Sequence, residues 1–320
     1  MSLLEFDVIQ KYFSKITNTN NSANIPLAIG DDAAIVSLPE KKELVICTDT
    51  LNDGIHFPID TSAYNIGYKA LAVNLSDIAA MGATPKWFTL NVSLPNINTT
   101  WLQDFTKGLA DLSAQYKLDL IGGDTTRGPL SITITLAGHI SKGQALTRSC
   151  ADIGDKVYLS GCTGDAAIGL ATSLNNVIVD TPDDYFVNRL NKPTARVELG
   201  LSLVGIANAC IDISDGLLAD ALHIANASQC GIQLNLDSIP LPKISNKEQA
   251  RQYALSGGDD YELVFTVPKN KQQALDNIIK KSELTITCIG EVVEKKGIEV
   301  LDQNKKSIQL SIFGYEHFKQ

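Results

Sequence analysis

Apolar residues recur along this chain at helical and strand spacing in turn, and each change of period marks an element. Residues 71–82, LAVNLSDIAAMG, read as the second half of an amphipathic helix. It starts near Ser62, a capping residue, and stops at Gly82 ahead of Pro85. Leu3, Leu4, Val8, Ile9 and Phe13 space a first helix, and Trp101, Leu102, Phe105, Leu109, Leu112 and Tyr116 space another over 99–116. Strands are predicted at 43–50, 86–94 and 130–140, with a short strand from 119 running into a glycine-rich turn. Residues 25–36 read as two short strands broken by Gly30-Asp31-Asp32. A polar, glycine-bearing stretch at 143–155 then sets a boundary, so domains are predicted at 1–145 and 146–320. The second half predicts strands at 156–160 and 284–293, one entering a turn within 209–216, and one after a Gly-Gly-Asp turn within 255–267. Its helices are predicted at 166–174, 194–208, from 217 to about 229, and 270–281. Residues 243–252 read as a polar surface segment, and a short strand near 308–312 leads into an aromatic tail.

Composition narrows the class. With 44% apolar and 20% charged residues over 320 positions, this is a globular chain able to bury two cores. A net charge of −9 argues against binding a nucleic-acid backbone, but not against nucleotides bridged by metal. The uncharged apolar stretch 199–211 is too short to span a bilayer, and the N-terminus lacks the pattern of a signal peptide. Six scattered cysteines with no CxxC pair imply reduced thiols in the cytoplasm. No HExxH or Cys/His cluster suggests zinc.

The candidate chemistry lies in the acids. Asp77 interrupts an apolar helix, and carboxylates are rarely buried without a counter-charge. Asp32 sits between apolar runs, Asp49 lies near a strand end beside Thr48 and Thr50, and Asp124 follows Gly122-Gly123. Asp212 and Asp215 flank Ser214, where a helix-capping role for Ser214 or Asp215 is the competing structural reading. Any one of these could be a turn or a cap. Together they are six hard-oxygen donors, suited to Mg²⁺ bridged to phosphates. The small-residue turn 161–165 before a helix could seat an anion, but it lacks P-loop spacing, so packing is the favoured reading. Arg148 could fork to a phosphate or be a solvated loop charge, and His56 is a lone loop histidine. The chemistry points to a metal- and phosphate-dependent enzyme without naming the acceptor.

The segments GDDAAIV, ICTDTLNDGIHF, YKALAVNLSDIAAMGATP, LIGGDTTRGPL, ALTRSCADIGD, IDISDGL, LSGGDDYEL and GYEHF, in this order, closely resemble the thiamine-monophosphate kinase family. The NLSDIAAMGATP and DISDGL segments are also similar to the wider superfamily of aminoimidazole ribonucleotide synthetase and selenophosphate synthetase. The resemblance implies an α+β fold of two domains, an N-terminal sheet domain that dimerises and binds metal and ATP, and a C-terminal α+β domain, with ATP and several Mg²⁺ ions in the cleft. It implies transfer of the ATP γ-phosphate directly to thiamine monophosphate, giving thiamine diphosphate. By position, Asp32, Thr48, Asp49, Asp77, Asp124, Asp212 and Asp215 correspond to metal ligands. Gly123, Asp124, Arg148 and Ser214 correspond to ATP contacts, and His56, Asp259 and Tyr315 to substrate contacts. Two positions depart from the family pattern. Cys47 replaces a frequent serine, leaving the backbone carbonyl as the harder donor there, and Asp259 replaces a frequent glutamate. A sibling synthetase of the superfamily and a non-catalytic nucleotide-binding protein are the rival readings. The absence of any cysteine before Cys47 counts against a selenophosphate synthetase.

Overall fold

The computed structural model describes residues 5–16, 24–29, 33–174, 184–308 and 314. The chain separates into two compact units, Met1–Ile78 with Ala83–Gly143, and Ala79–Gly82 with Gln144–Gln320.

In the first unit α1 (Glu5–Val8) is a single turn, widening into a π-turn at Ile9–Phe13 and tightening to a 3-10 turn at Ser14–Ile16. One continuous first helix was expected, and the chain instead changes pitch twice. Then follow β1 (Lys42–Asn52), α2 (Ala63–Ala80), β2 (Thr84–Leu94), α3 (Thr99–Tyr116), β3 (Asp119–Arg127) and β4 (Ser131–Ser141). The sheet order is β1-β4-β2-β3, with only the β2–β3 pair parallel. On β4, Ile132, Ile134 and Leu136 are buried and alternate with half-buried Thr133 and Thr135, so one face carries the core. Helices α2 and α3 touch at Gly67 and Gly108, where a Cβ would collide with the other helix's backbone carbonyl. Ser62 Oγ accepts the Asn65 N–H at 3.4 Å, as a cap should, and Gly82 ends the helix at φ +66°.

Two expectations change here. From Lys69 to Ala80 every residue of α2 except Asp77 is buried, so this half of the helix is enclosed rather than amphipathic. Strand β3 also does not turn at its glycines. After a bulge at Ile121 it continues through Gly122-Gly123-Asp124 alongside β2, with Gly123 opposite Leu90. Gly123 has φ +151°, and a Cβ there would collide with the Leu90 carbonyl, so close strand approach requires glycine. Leu27 and Ile35 form one antiparallel bridge across the segment that contains Gly30-Asp31-Asp32, which lies outside the described residues.

In the second unit the elements are β5 (Lys156–Ser160), α4 (Asp165–Ser173), α5 (Asp184–Asn191), α6 (Val197–Leu203), β6 (Ala209–Asp212), α7 (Leu217–Ala227), β7 (Gly231–Asn235), α8 (Lys247–Ser256), β8 (Leu263–Val267), α9 (Gln272–Ile279), β9 (Ile286–Val293) and β10 (Gly297–Leu301). The strand order is β10-β7-β9-β5-β8-β6. One core packs Val157, Ile211 and Val264 with Leu217, Leu218 and Ile224 of α7. The other packs Cys210, Leu263 and Phe265 with Leu199 and Leu203 of α6 and Leu275 of α9. Both faces of this sheet are therefore covered, which is why β8 is buried on both sides. The expected surface segment 243–252 is largely helix α8, capped by Asn246 Oδ1 accepting the Glu248 and Gln249 N–H groups, each at 3.1 Å. The helix expected over 194–208 shrinks to the seven residues of α6, while α5, β7 and β10 carried no sequence expectation. Most of the strand expected near 308–312 lies outside the described residues. No described helix is long and apolar enough to cross a membrane.

Candidate active site

Strand β1 turns Val45, Cys47, Asp49 and Leu51 inward and Leu44, Ile46, Thr48 and Thr50 outward. The Cys47 thiol lies 3.4 Å from the Asn74 carbonyl, so the inward face of β1 meets α2 one turn before Asp77. There Asp49 and Asp77 share a hydrogen bond; burial pushes the Asp49 carboxyl above its ordinary value, and the bond to Asp77 pulls the other way. Two carboxylates can touch only if a proton or a cation sits between them.

The other acids of this unit are elsewhere. The Thr48 hydroxyl points outward, donating to the Ile134 carbonyl and accepting from Thr135 Oγ1, both at 3.1 Å, so its side chain lies on the opposite face from Asp49. Register places Asp49, Ile134, Leu90 and Gly123 in one row across the sheet. Three strand spacings separate Asp49 from Gly123, about 14 Å. The helix thus brings Asp77 to Asp49, while Asp124 lies on a strand three spacings from that of Asp49. Among the described residues no three His, Cys, Asp or Glu side chains converge as a metal site. Asp124 and Gly123 instead line a cavity of about 950 Å³ with Asp7, Gln10, Thr89 and Thr125. Ala28, Ile29, Ala33 and Ala34, which flank Asp32, line it too, whereas Asp32 itself lies outside the described residues. His56 sits in the loop after β1, where its Nδ1 accepts the Asn52 N–H at 3.0 Å and buried Lys69 donates to its carbonyl at 3.0 Å.

In the second unit Asp212 ends β6, buried, and the turn Ile213–Gly216 presents an exposed Ser214 and a half-buried Asp215. Neither Ser214 nor Asp215 caps α7, as the structural reading had it. Asp220 Oδ2 instead accepts the N–H groups of Ser214, Asp215 and Gly216 at 3.0, 3.1 and 3.1 Å. Burial, and then the charges of Asp212 and Asp215, push the Asp220 carboxyl up to about 7. Asp259, at φ +68°, donates its N–H to the Ser214 carbonyl at 2.8 Å, and its Oδ1 accepts the Tyr261 hydroxyl at 2.9 Å. Gly314 packs on the Asp215 carbonyl; Tyr315, its neighbour, lies outside the described residues. A bridge between Thr147 and Ala209 seats the segment carrying exposed Arg148 beside β6.

The helix N-terminus after the small-residue turn is occupied by the chain itself, in line with the favoured packing reading. Fully buried Asp260 accepts the Gly164 and Ala166 N–H groups at the start of α4. Burial pushes its carboxyl up to about 8. Next to it Glu262, also buried, binds Ser160 Oγ at 2.6 Å, Arg189 Nη2 at 3.0 Å and both Nε and Nη2 of Arg196. Asp220, Asp260 and Glu262 were missed from the sequence. The signal available for the last two was a pair of acids, one residue apart, leading into a largely apolar strand.

The AIR synthase related protein models match this chain in order, the N-terminal domain over residues 30–140 and the C-terminal domain over 152–303. The chain is 44% identical over 329 residues to the thiamine-monophosphate kinase of Haemophilus influenzae, covering 100% of this chain and 99% of that one. The crystal structure of thiamine-monophosphate kinase from Stenotrophomonas maltophilia K279a is 42% identical with a TM-score of 0.85, covering 94% of this chain and 97% of that one. AaThiL complexed with AMPPCP and TMP is 32% identical with a TM-score of 0.77, covering 98% and 97%.

Proposed function

We propose the reaction from one premise: this chain belongs to the thiamine-monophosphate kinase family of AIR synthase related proteins. It is an ATP-dependent kinase that phosphorylates thiamine monophosphate to thiamine diphosphate. The observation that carries the metal part of the reading is the contact between Asp49 and Asp77. Both are hard carboxylate donors on a half-buried face, which fits Mg²⁺ and would be repulsive without a cation. Asp49 and Asp77 would hold Mg²⁺, with Asp32, Asp124, Asp212 and Asp215 as further ligands and Thr48 and Cys47 through backbone carbonyls. When bound, the ions neutralise phosphate oxygens and the charge of the transferring phosphoryl group.

The chain's own groups do the rest. Gly123, Asp124, Arg148 and Ser214 orient ATP, the guanidinium of Arg148 offering a fork to phosphate oxygens. His56, Asp259 and Tyr315 orient the acceptor. The neutral His56 ring, its Nδ1 already accepting the Asn52 N–H, can donate from Nε2. Among the described residues β1 and β3 each pair with one strand, and Leu44 and Ile46 on β1 are 39% and 56% exposed. A homodimer joined through these edges would cover that surface and bring Asp124 of one copy toward Asp49 of the other. Six cysteines, none in a disulfide among the described residues, fit a cytoplasmic enzyme.

The test is a panel of acceptors offered to the purified chain with Mg²⁺ and ATP: thiamine monophosphate, thiamine, an amide substrate and selenide. ATP should be consumed one for one with thiamine monophosphate alone. Preference for another acceptor would replace the substrate reading with that of a sibling synthetase.

Cys47→Ser should keep kcat/KM within about threefold, because a hydroxyl can take up the thiol's contacts with the Asn74 carbonyl and Asn74 Oδ1, at 3.4 and 3.7 Å. A loss beyond about tenfold in a folded variant would give the thiol a role of its own.

A further inference from the structure

We infer that Asp220 is a positioning residue for this reaction, fixing the turn that presents Ser214 and Asp215; the inference rests on the roles proposed for those two residues. Its Oδ2 gathers three consecutive backbone N–H groups, those of Ser214, Asp215 and Gly216, at 3.0, 3.1 and 3.1 Å. Successive N–H groups aimed at one point form the kind of nest that binds phosphate in other proteins. Here the chain's own carboxylate oxygen fills it, and Asp220 is 2% exposed, so no phosphate from solution can enter. The turn can therefore offer a nucleotide only side chains and carbonyls, and their directions follow from backbone that Asp220 holds.

The other side of the turn is held as firmly. The Tyr261 N–H donates to the Ile213 carbonyl, the Ile213 N–H to the Glu262 carbonyl, and the Asp259 N–H to the Ser214 carbonyl, each at 2.8 Å. A Cβ on Gly258 would collide with the Ser214 carbonyl, and one on Gly314 would crowd the Asp215 carbonyl, so both neighbouring segments lie directly on the turn. Those segments carry Asp259 and, one residue beyond Gly314, Tyr315. Asp220 thus sets Ser214 and Asp215 against Asp259, the described residue assigned to the acceptor.

The full chain is tested as Asp220→Ala and Asp220→Asn, with melting temperature, kcat and the KM values for MgATP and thiamine monophosphate, each at a temperature where the variant is folded. Asparagine keeps one oxygen for the three N–H groups but loses the charge; alanine keeps neither. KM for MgATP is expected to rise at least about tenfold in Asp220→Ala and about three- to fivefold in Asp220→Asn, with kcat falling in the same order. Early melting with wild-type kcat and KM in the folded variants would overturn the inference and leave Asp220 a purely structural residue. If Asp220→Ala does not fold, the KM of Asp220→Asn decides alone, and a wild-type value overturns it. Asp215→Asn and Ser214→Ala run alongside: wild-type constants in both would sink the site reading itself, and the inference with it for that separate reason.

Discussion

Asp77→Asn is expected to cut turnover by about a hundred- to a thousandfold while leaving the metal-free protein at least as stable as the wild type. Asparagine matches aspartate in size, so the enclosed half of α2 keeps its packing. What disappears is one of two carboxylates in contact, and with it the charge that makes the pair a cation site. The sign of the stability change follows from Asp49. Burial raises its folded-state pKa above its unfolded value. A raised carboxyl contributes stability that is fully present below the unfolded pKa and is lost as pH rises through the folded pKa. The wild-type melting temperature without metal should therefore decline as pH rises above the ordinary aspartate range. Mg²⁺ should reverse that decline. In Asp77→Asn, Asp49 faces a neutral amide, so the decline should shrink and Mg²⁺ should add little. Near-normal turnover would remove Asp77 from the site, and a fall in metal-free stability would mark it as a structural carboxylate.

Glu262→Gln should have the largest effect on stability, about 3–5 kcal/mol, with a melting temperature lower by about ten degrees or more. The Glu262 side chain is 1% exposed and carries the charge that balances Arg189 and Arg196, themselves 14% and 17% exposed. A neutral amide of the same shape takes the carboxylate from Arg196 and leaves Arg189 with Asp165 at 3.9 Å and the Asp260 backbone carbonyl. Breaking a buried pair by neutralising one partner is far more damaging than never having built it. This loss should not depend on Mg²⁺, because none of Glu262, Arg189 and Arg196 is assigned to the metal and their network ties β5, α5 and α6 to the segment before β8. A melting temperature within about two degrees of wild type would show that the arginines find other partners.

These two substitutions also mark what the sequence could and could not convey. Asp77 stood out because a carboxylate in an apolar helix is costly, a local fact that needs no tertiary knowledge. Its partner Asp49 stood out as an acid near a strand end, flanked by the hydroxyls of Thr48 and Thr50. The distance from Asp49 to Asp124 was not legible, because it depends on β4 and β2 lying between β1 and β3. That order is set by pairings dozens of residues apart. Glu262 was missed for the same reason: its arginines lie 73 and 66 positions away in the chain. The Gly-Gly-Asp of β3 was mistaken for a turn because glycine serves close strand approach as readily as it serves positive φ in a loop. Helix α8, by contrast, was legible and overlooked, since Asn246 followed three residues later by Gln249 is a capping signature.

The central claim is that this chain moves the γ-phosphate of ATP onto thiamine monophosphate with the help of divalent metal. The most direct measurement supplies ATP labelled at the γ-phosphate and follows the label with Mg²⁺ present and after chelation. The account predicts label in thiamine diphosphate, one equivalent per ADP formed, and none once Mg²⁺ is removed. Label released only as inorganic phosphate, or transfer that persists in the chelated sample, would contradict it.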